Sequence, residues 1–387
     1  MKAFIIAGEP SGDRLGAALM AGLKVLTEVE FQGVGGALMG DQGLVSQFPM
    51  EELSVMGLAE ILPKYCHLKR RIRETADAVL AAKPDVLITI DSPDFCLRVA
   101  RRVKSASDIR TVHYVAPTVW AWRAGRAAKM ARVIDHVLAL FPFEPPLMQA
   151  AGMACDFVGH PVVAEPIASL AEIDQFRATH GLGKAPVMLA LPGSRMGEVA
   201  RLAPIFGEAL RPVLAKYPDM RLVVPTVASV TAQVKQAVRD WPVRPIILDP
   251  RGMNIDLYLA EKRASFGAAD LALAASGTVS LELAAAATPM VIAYDLSWLS
   301  RQIIARMLKV DTVTLVNLVS ETRSIPEFIG DKCKPQAIAK GLIEVMADPQ
   351  RQLAAMEMTM QRLGQGGQQP GLRAAHAVLA GLNLPTK

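Results

Sequence analysis

The chain has 387 residues, 51% of them hydrophobic, and a formal net charge of +5. That length exceeds one compact core and the apolar share excludes a disordered chain, so two domains are expected. No uncharged run reaches the roughly 18–20 apolar residues of a bilayer span, and Met1 to Phe4 lead straight into a strand-like run with no cleavage pattern, so a cytoplasmic protein is expected.

Short apolar runs alternate with amphipathic helical stretches. Residues 4–7, 86–90, 111–115 and 136–140 are strand candidates in the first part, and 187–191, 222–224, 246–248, 271–275 and 290–294 in the second. Helical segments lie between most of them, which predicts parallel sheets covered on both faces. The Pro-containing stretch 159–173 is the best linker. An α/β chain with two Rossmann-like, doubly wound domains facing a cleft follows, with expected segments 1–163, 164–348 and a pair of C-terminal helices in 349–387. The last helix either stays with the second domain or crosses back to the first.

In open parallel sheets ligands bind at the carboxyl ends of strands, so polar residues there carry the functional argument. The first such loop is Gly8-Glu9-Pro10-Ser11-Gly12-Asp13. Its glycines, with Gly16, are spaced four and four, which is not the G-x-G-x-x-G dinucleotide fingerprint. Two carboxylates and a hydroxyl there exceed what a turn needs. Next, the segment 62–73 mixes apolar residues with Lys64, Lys69, Arg70, Arg71 and Arg73. A solvated basic helix or a surface on an anionic membrane both fit it. The strand 86–90 then ends in Asp91-Ser92-Pro93-Asp94. Asp91 is the candidate general base, and Asp94 a base or a cap of the following helix.

Trp120, Trp122, Arg123 and Arg126 follow another strand, and aromatic packing is the commoner role for such tryptophans. The strand 187–191 ends in Pro192-Gly193-Ser194-Arg195. Its glycine and Ser194 offer backbone donors to a phosphate, and Arg195 a planar cation for a departing one. Ser276, Gly277 and Thr278 open a helix that carries Glu282. Ser276 is expected as its N-cap, and Glu282 is placed to reach a ribose while the diphosphate sits at the helix terminus. A buried Glu in that alanine-rich setting requires a partner or a ligand.

Four cysteines and six histidines are scattered with no metal-ligand spacing, and no D-x-D occurs, so neither a metal nor any other cofactor is expected. The positive charge suits anionic partners, but no nucleic-acid-binding motif is present and none is expected to bind. These features describe a nucleotide-sugar glycosyltransferase. Its rivals are another enzyme acting on a UDP-sugar, such as an epimerase of the same two-domain form, and a non-catalytic nucleotide-sugar or lipid binder.

The motifs GEPSGD at 8–13, VMGLAEIL at 55–62, IDSPDF at 90–95, HYVAPTVWAWR at 113–123, LPGSR at 191–195, ASGTVSLE at 275–282 and LVNL at 315–318 occur in one order along most of the chain. In these the chain resembles the lipid-A-disaccharide synthase family, departing at Pro10, where Thr is common. The resemblance implies a GT-B-type fold and an inverting, metal-independent transfer. UDP-2,3-diacylglucosamine and 2,3-diacylglucosamine 1-phosphate would give the β(1→6) disaccharide and UDP. It further implies Asp91 as base, Arg195 at the leaving diphosphate and Glu9, Ser11 and Asp13 near the reacting sugars. Ser194, Ser276, Gly277, Thr278 and Glu282 would hold UDP, with Asn317 nearby. The segment 62–73 would attach peripherally to the inner face of the cytoplasmic membrane.

Overall fold

A computed structural model of the chain describes residues 1–53, 58–120, 125–295 and 310–382, with the backbone alone over 58–64. Parts of the quoted motifs, residues 55–57 and 121–123 with Trp122 and Arg123, lie outside the described residues, as do the side chains of 58–64. The chain divides into two compact units, Met1–Ala164 with Leu363–Lys387, and Glu165–Arg362.

In the first unit six strands form one parallel sheet in the order β2-β1-β3-β4-β5-β6. They are β1 Lys2–Ala7, β2 Glu30–Val34, β3 Val86–Ile90, β4 Arg110–Tyr114, β5 His136–Ala139 and β6 Ala154–Phe157. Every residue of β3 and β5 is buried, and β1 is exposed only at Lys2. Coverage on both faces explains why these strands read as unbroken apolar runs. The helix Pro370–Gly381 belongs to this unit and packs on the helix Pro10–Leu26. Their backbones touch: a Cβ on Gly22 would lie 2.7 Å from the Gly371 carbonyl oxygen, and one on Gly371 2.5 Å from that of Ala18. Arg373 adds a donor to the Phe157 carbonyl at 2.7 Å.

The second unit repeats the plan in the order β12-β11-β10-β7-β8-β9, again all parallel. Its strands are β7 Val187–Leu191, β8 Arg221–Pro225, β9 Ile246–Leu248, β10 Leu271–Ala274, β11 Met290–Tyr294 and β12 Glu327–Ile329. The helix Met196–Lys216 lays Val199, Leu202, Ala203, Phe206, Leu210 and Val213 into the core, the 3.6-residue spacing of a buried face. The helix Gln350–Arg362 stays with this unit. The buried Gln352 amide exchanges hydrogen bonds with the backbone of Met290, accepting from its N–H at 2.8 Å and donating to its carbonyl at 2.9 Å.

Three strands were not anticipated from the sequence: β2, β6 and β12. All three lie at sheet edges, and their burial is partial, so they lack the apolar signal of the central strands.

Each sheet reverses its winding once, between β1 and β3 in the first unit and between β7 and β10 in the second. The loops leaving those four strands flank the crevices where a doubly wound sheet accepts a ligand.

The glycine contact between the first and last helices gives a direct test. Gly371→Val should cost roughly 1–3 kcal/mol through overpacking and lower the thermal midpoint. An unchanged midpoint would mean that the two helices do not meet at this position.

Candidate functional site

At the switch point of the first unit, β1 delivers residues 8–13 and β3 delivers Asp91 and Ser92. The loops are in contact, since a Cβ on Gly8 would lie 2.5 Å from the Ser92 hydroxyl. The backbone there is strained. Asp91 and Ser92 have φ of 50° and 42°, and Val115, leaving β4, has φ 85°. Left-handed conformations of non-glycine residues cost on the order of 1–3 kcal/mol each and cluster at functional sites. They are fixed by the sheet: the Asp91 N–H donates to Tyr114 O and the Val115 N–H to Leu138 O, both at 3.0 Å. The Asp91 side chain is half-buried, and that burial raises its carboxyl above the usual range, partly offset by the Ser92 backbone N–H. Asp94 is exposed, and the N-cap of its helix is Ser92.

The acids of the first loop divide. Glu9, half-buried, is the N-cap residue of the helix Pro10–Leu26, and Ser11 is exposed. Asp13 is buried, and its carboxylate accepts from the N–H groups of Gly36 at 2.8 Å, Leu38 at 3.0 Å and Met39 at 3.1 Å. It therefore caps the short helix Ala37–Asp41 and holds the loop after β2.

In the second unit β7 ends in the loop 192–195, with Ser194 and Arg195 exposed. Its backbone donors were expected to face a phosphate. In the structure they are occupied: Glu198 Oε2 accepts from the N–H of Ser194 at 3.1 Å and of Arg195 at 3.3 Å. Its other oxygen meets Arg195 Nη1 at 3.2 Å. The Arg195 side chain, 68% exposed, is the part of the loop that projects outward.

β10 ends beside β7, the Ala275 N–H donating to Leu191 O at 2.9 Å. Ser276 is half-buried, and Gly277 and Thr278 are exposed. The N-cap of the helix Val279–Ala285 is Thr278, not Ser276 as expected, because Gly277 at φ 155° turns the chain first. The partner required for Glu282 is Lys262, whose Nζ lies 2.5 Å from its carboxylate, and Glu282 remains 42% exposed. Asn317 is fully buried. Its amide donates to Thr312 Oγ1 at 3.3 Å and Ile325 O at 2.9 Å, and its oxygen accepts from the Ile325 N–H at 2.9 Å. It lies in the helix Leu315–Ser320 and braces the segment 312–325, within which its polar atoms are spent.

Sequence reasoning missed two acids. Glu198 carried a signal, an acid three residues into a helix whose N-cap is Arg195, the position from which a side chain reaches back to the cap. Glu144, just beyond β5, carried none. It is 2% exposed, and its Oε2 accepts from the N–H groups of Leu140 at 3.1 Å and Phe141 at 3.0 Å. Burial pushes its carboxyl up to about 8. His113, in the same sheet, is buried and held neutral, its imidazolium pushed down to about 4. Among the described residues no group of three or more His, Cys, Asp or Glu side chains is placed to hold a metal ion.

Residues 3–380 match the family described as Lipid-A-disaccharide synthetase. The chain is 67% identical to the lipid-A-disaccharide synthase of Ruegeria pomeroyi, over 98% of this chain and 95% of that protein. It is 47% identical to that of Rhodospirillum centenum, over 99% and 94%. Among solved structures it is similar to UDP-GlcNAc 2-epimerase from Neisseria meningitidis bound to UDP-GlcNAc, with TM-score 0.62, 11% identity and coverage of 99% and 100%. The S. aureus MnaA–UDP co-structure gives TM-score 0.63, 13% identity and coverage of 99% and 97%. At those identities the likeness is one of fold, the two-sheet GT-B-like architecture.

Glu144 yields a prediction on stability. A carboxyl raised to about 8 in the folded state keeps its proton where the unfolded chain has lost it. Stability is thus lost as pH climbs from the unfolded value to about 8, by up to roughly 1.4 kcal/mol per pH unit. Glu144→Gln removes that dependence. Denaturant unfolding at pH 5, 6.5, 8 and 9 should show the wild type falling relative to the variant, with the gap constant above about pH 8. Parallel curves would mean that Glu144 titrates as a surface carboxylate.

Proposed function

Because this chain belongs to the lipid-A-disaccharide synthase family, we propose that it joins UDP-2,3-diacylglucosamine to 2,3-diacylglucosamine 1-phosphate. The products are the β(1→6) disaccharide 1-phosphate of lipid A biosynthesis and UDP. The observation that carries this reading is the match over residues 3–380, with four of the seven motifs, at 8–13, 90–95, 191–195 and 275–282, falling on the strand ends that flank the two switch points.

The reaction is one in-line displacement. The acceptor 6-oxygen attacks the anomeric carbon, the bond from that carbon to the diphosphate oxygen breaks, and the α configuration becomes β. One base suffices, unlike the acid and second carboxylate of a glycosidase. Asp91 takes the hydroxyl proton. Its half-burial favours the task, since a carboxylate raised toward neutrality is a stronger base than a solvated one. Glu9 and Ser11 contact the sugars, and Asp13 keeps their loop in place.

The second unit holds the nucleotide. Arg195 meets the charge that develops on the leaving diphosphate. Ser194, Ser276, Gly277 and Thr278 supply polar contacts to the phosphates, Glu282 takes the ribose hydroxyls, and Asn317 shapes the adjoining loop. The phosphate contacts at 194–195 are side-chain contacts, because Glu198 already accepts from the backbone.

Both substrates carry acyl chains, and we assign membrane attachment at the inner face of the cytoplasmic membrane to the helix Leu58–Ala82. No helix among the described residues is long and apolar enough to cross a bilayer. On this helix Ile72 is buried, and Arg71 is drawn inward by Glu52 at 2.8 Å. Tyr65, Lys69, Arg70 and Arg73 remain exposed, an outward face suited to anionic headgroups.

Disaccharide formation and UDP release from the two acylated sugars test the assignment. Asp91→Ala should lose roughly 10²-fold or more of turnover while keeping UDP affinity. Folded protein that makes no disaccharide, or converts UDP-N-acetylglucosamine to its epimer instead, would overturn the reading. Normal turnover in Asp91→Ala would remove only the base. For the membrane, Lys69→Gln, Arg70→Gln and Arg73→Gln together should weaken binding to phosphatidylglycerol vesicles about 100-fold, at ~1 kcal/mol per charge. Equal binding by both proteins would exclude this face.

A further inference from the structure

Glu198 is the most heavily engaged side chain near the β7 loop, and the reaction as described does not use it. Its side chain is 10% exposed. Besides the two backbone N–H groups and the Arg195 guanidinium, it accepts from the Tyr294 hydroxyl at 3.1 Å. Tyr294 ends β11, so Glu198 ties the β7 loop across β10 to the strand beyond it.

The loop is built around this carboxylate. Gly193 has φ 119°, and a Cβ there would lie 2.6 Å from Glu198 Cβ and 2.7 Å from its Oε2. Only glycine leaves that space and tolerates that backbone. A Glu that only capped the helix would need the loop N–H groups alone. This one also grips the guanidinium through one nitrogen while the Arg195 side chain stays largely exposed. Arg201 lies in the same first turns, its Nη1 3.5 Å from where a Gly197 Cβ would be. With two arginines against one glutamate the loop keeps a net positive charge, so Glu198 steers Arg195 without cancelling its attraction for an anion.

We propose that Glu198 is a positioning residue that aims the Arg195 guanidinium at the leaving diphosphate, with Tyr294 fixing the carboxylate in turn. This rests on the reading of Arg195 given above. An ion pair used this way removes rotamers that an exposed arginine would otherwise sample, and misplacing a catalytic group by about 1 Å costs up to about 10²-fold in rate.

A double-mutant cycle tests it. Turnover, UDP affinity and thermal midpoint are measured for Arg195→Ala, Glu198→Ala and the double variant. Glu198→Ala should lower kcat roughly 10- to 100-fold, and the double variant should be no slower than Arg195→Ala. Glu198→Gln, which keeps an acceptor for the loop but no charge, should fall between wild type and Glu198→Ala. Losses that multiply in the double variant, or normal kcat in Glu198→Ala, would overturn the proposal with Arg195 still in its role. Normal turnover in Arg195→Ala would instead overturn the role of Arg195 itself. Should Glu198→Ala fail to fold, Tyr294→Phe replaces it. It should lose kcat severalfold in the wild-type background and nothing in Arg195→Ala, and an equal loss in both backgrounds counts against the proposal.

Discussion

A parallel strand covered on both faces has no place for a charged side chain along its buried length, and the one polar side chain inside β3, that of Thr89, is bonded to Val112 O and His113. β1, β3, β7 and β10 are such strands, buried through nearly every residue. Their charged residues are therefore kept to the strand ends, and the reversal of strand order at β1/β3 and β7/β10 opens a crevice at the carboxyl edge. The placement of Glu9, Ser11, Asp91, Arg195 and Ser276 follows from this constraint. The glycines at 8 and 193 serve it as well, letting one loop approach Ser92 and the other close over Glu198.

The same constraint explains what could be read from sequence. Central strands announce themselves as apolar runs ending in Gly, Pro, Ser or Asp, so the α/β class, the parallel sheets and the functional loops were legible. The edge strands β2, β6 and β12 were not, because a half-covered strand such as Glu30–Val34 carries charge and glycine among its apolar residues. The path of the last helix was illegible for another reason. Its docking depends on Gly22 and Gly371, which bring two backbones together through the absence of side chains. Composition does not report that kind of complementarity.

Within the site, sequence located the loops better than it located the direction of their side chains. Gly193, Ser194 and Arg195 resemble an anion cradle, since a turn rich in N–H groups before a helix usually is one. The acid that fills the cradle comes three residues later, from the first turn of the helix, and its reach depends on the left-handed Gly193. Asn317 misleads in the opposite way. The family resemblance implies Asn317 near the nucleotide, yet it lies buried in the helix Leu315–Ser320, where the backbone of Ile325 uses both ends of its amide.

What distinguishes the acids is the supply of donors around them. Asp13 has three backbone N–H groups, and Glu198 has two with a guanidinium and a phenol, so the oxygens of both are spent on the protein. Glu282 shares its charge with Lys262 and stays half-open, which suits hydrogen bonding to hydroxyl groups rather than proton removal. Glu144 is buried so completely that its carboxyl is protonated near neutrality, which disqualifies it as a base there. Asp91 lies between these extremes. Burial raises its carboxyl, which favours the base role proposed for it, and the strained backbone at 91–92 keeps it at the strand end with no ion pair to it among the described residues. An acid intended to accept a proton at a sugar hydroxyl requires that intermediate state: enough desolvation to raise its affinity for the proton, and too few donors to satisfy it without one.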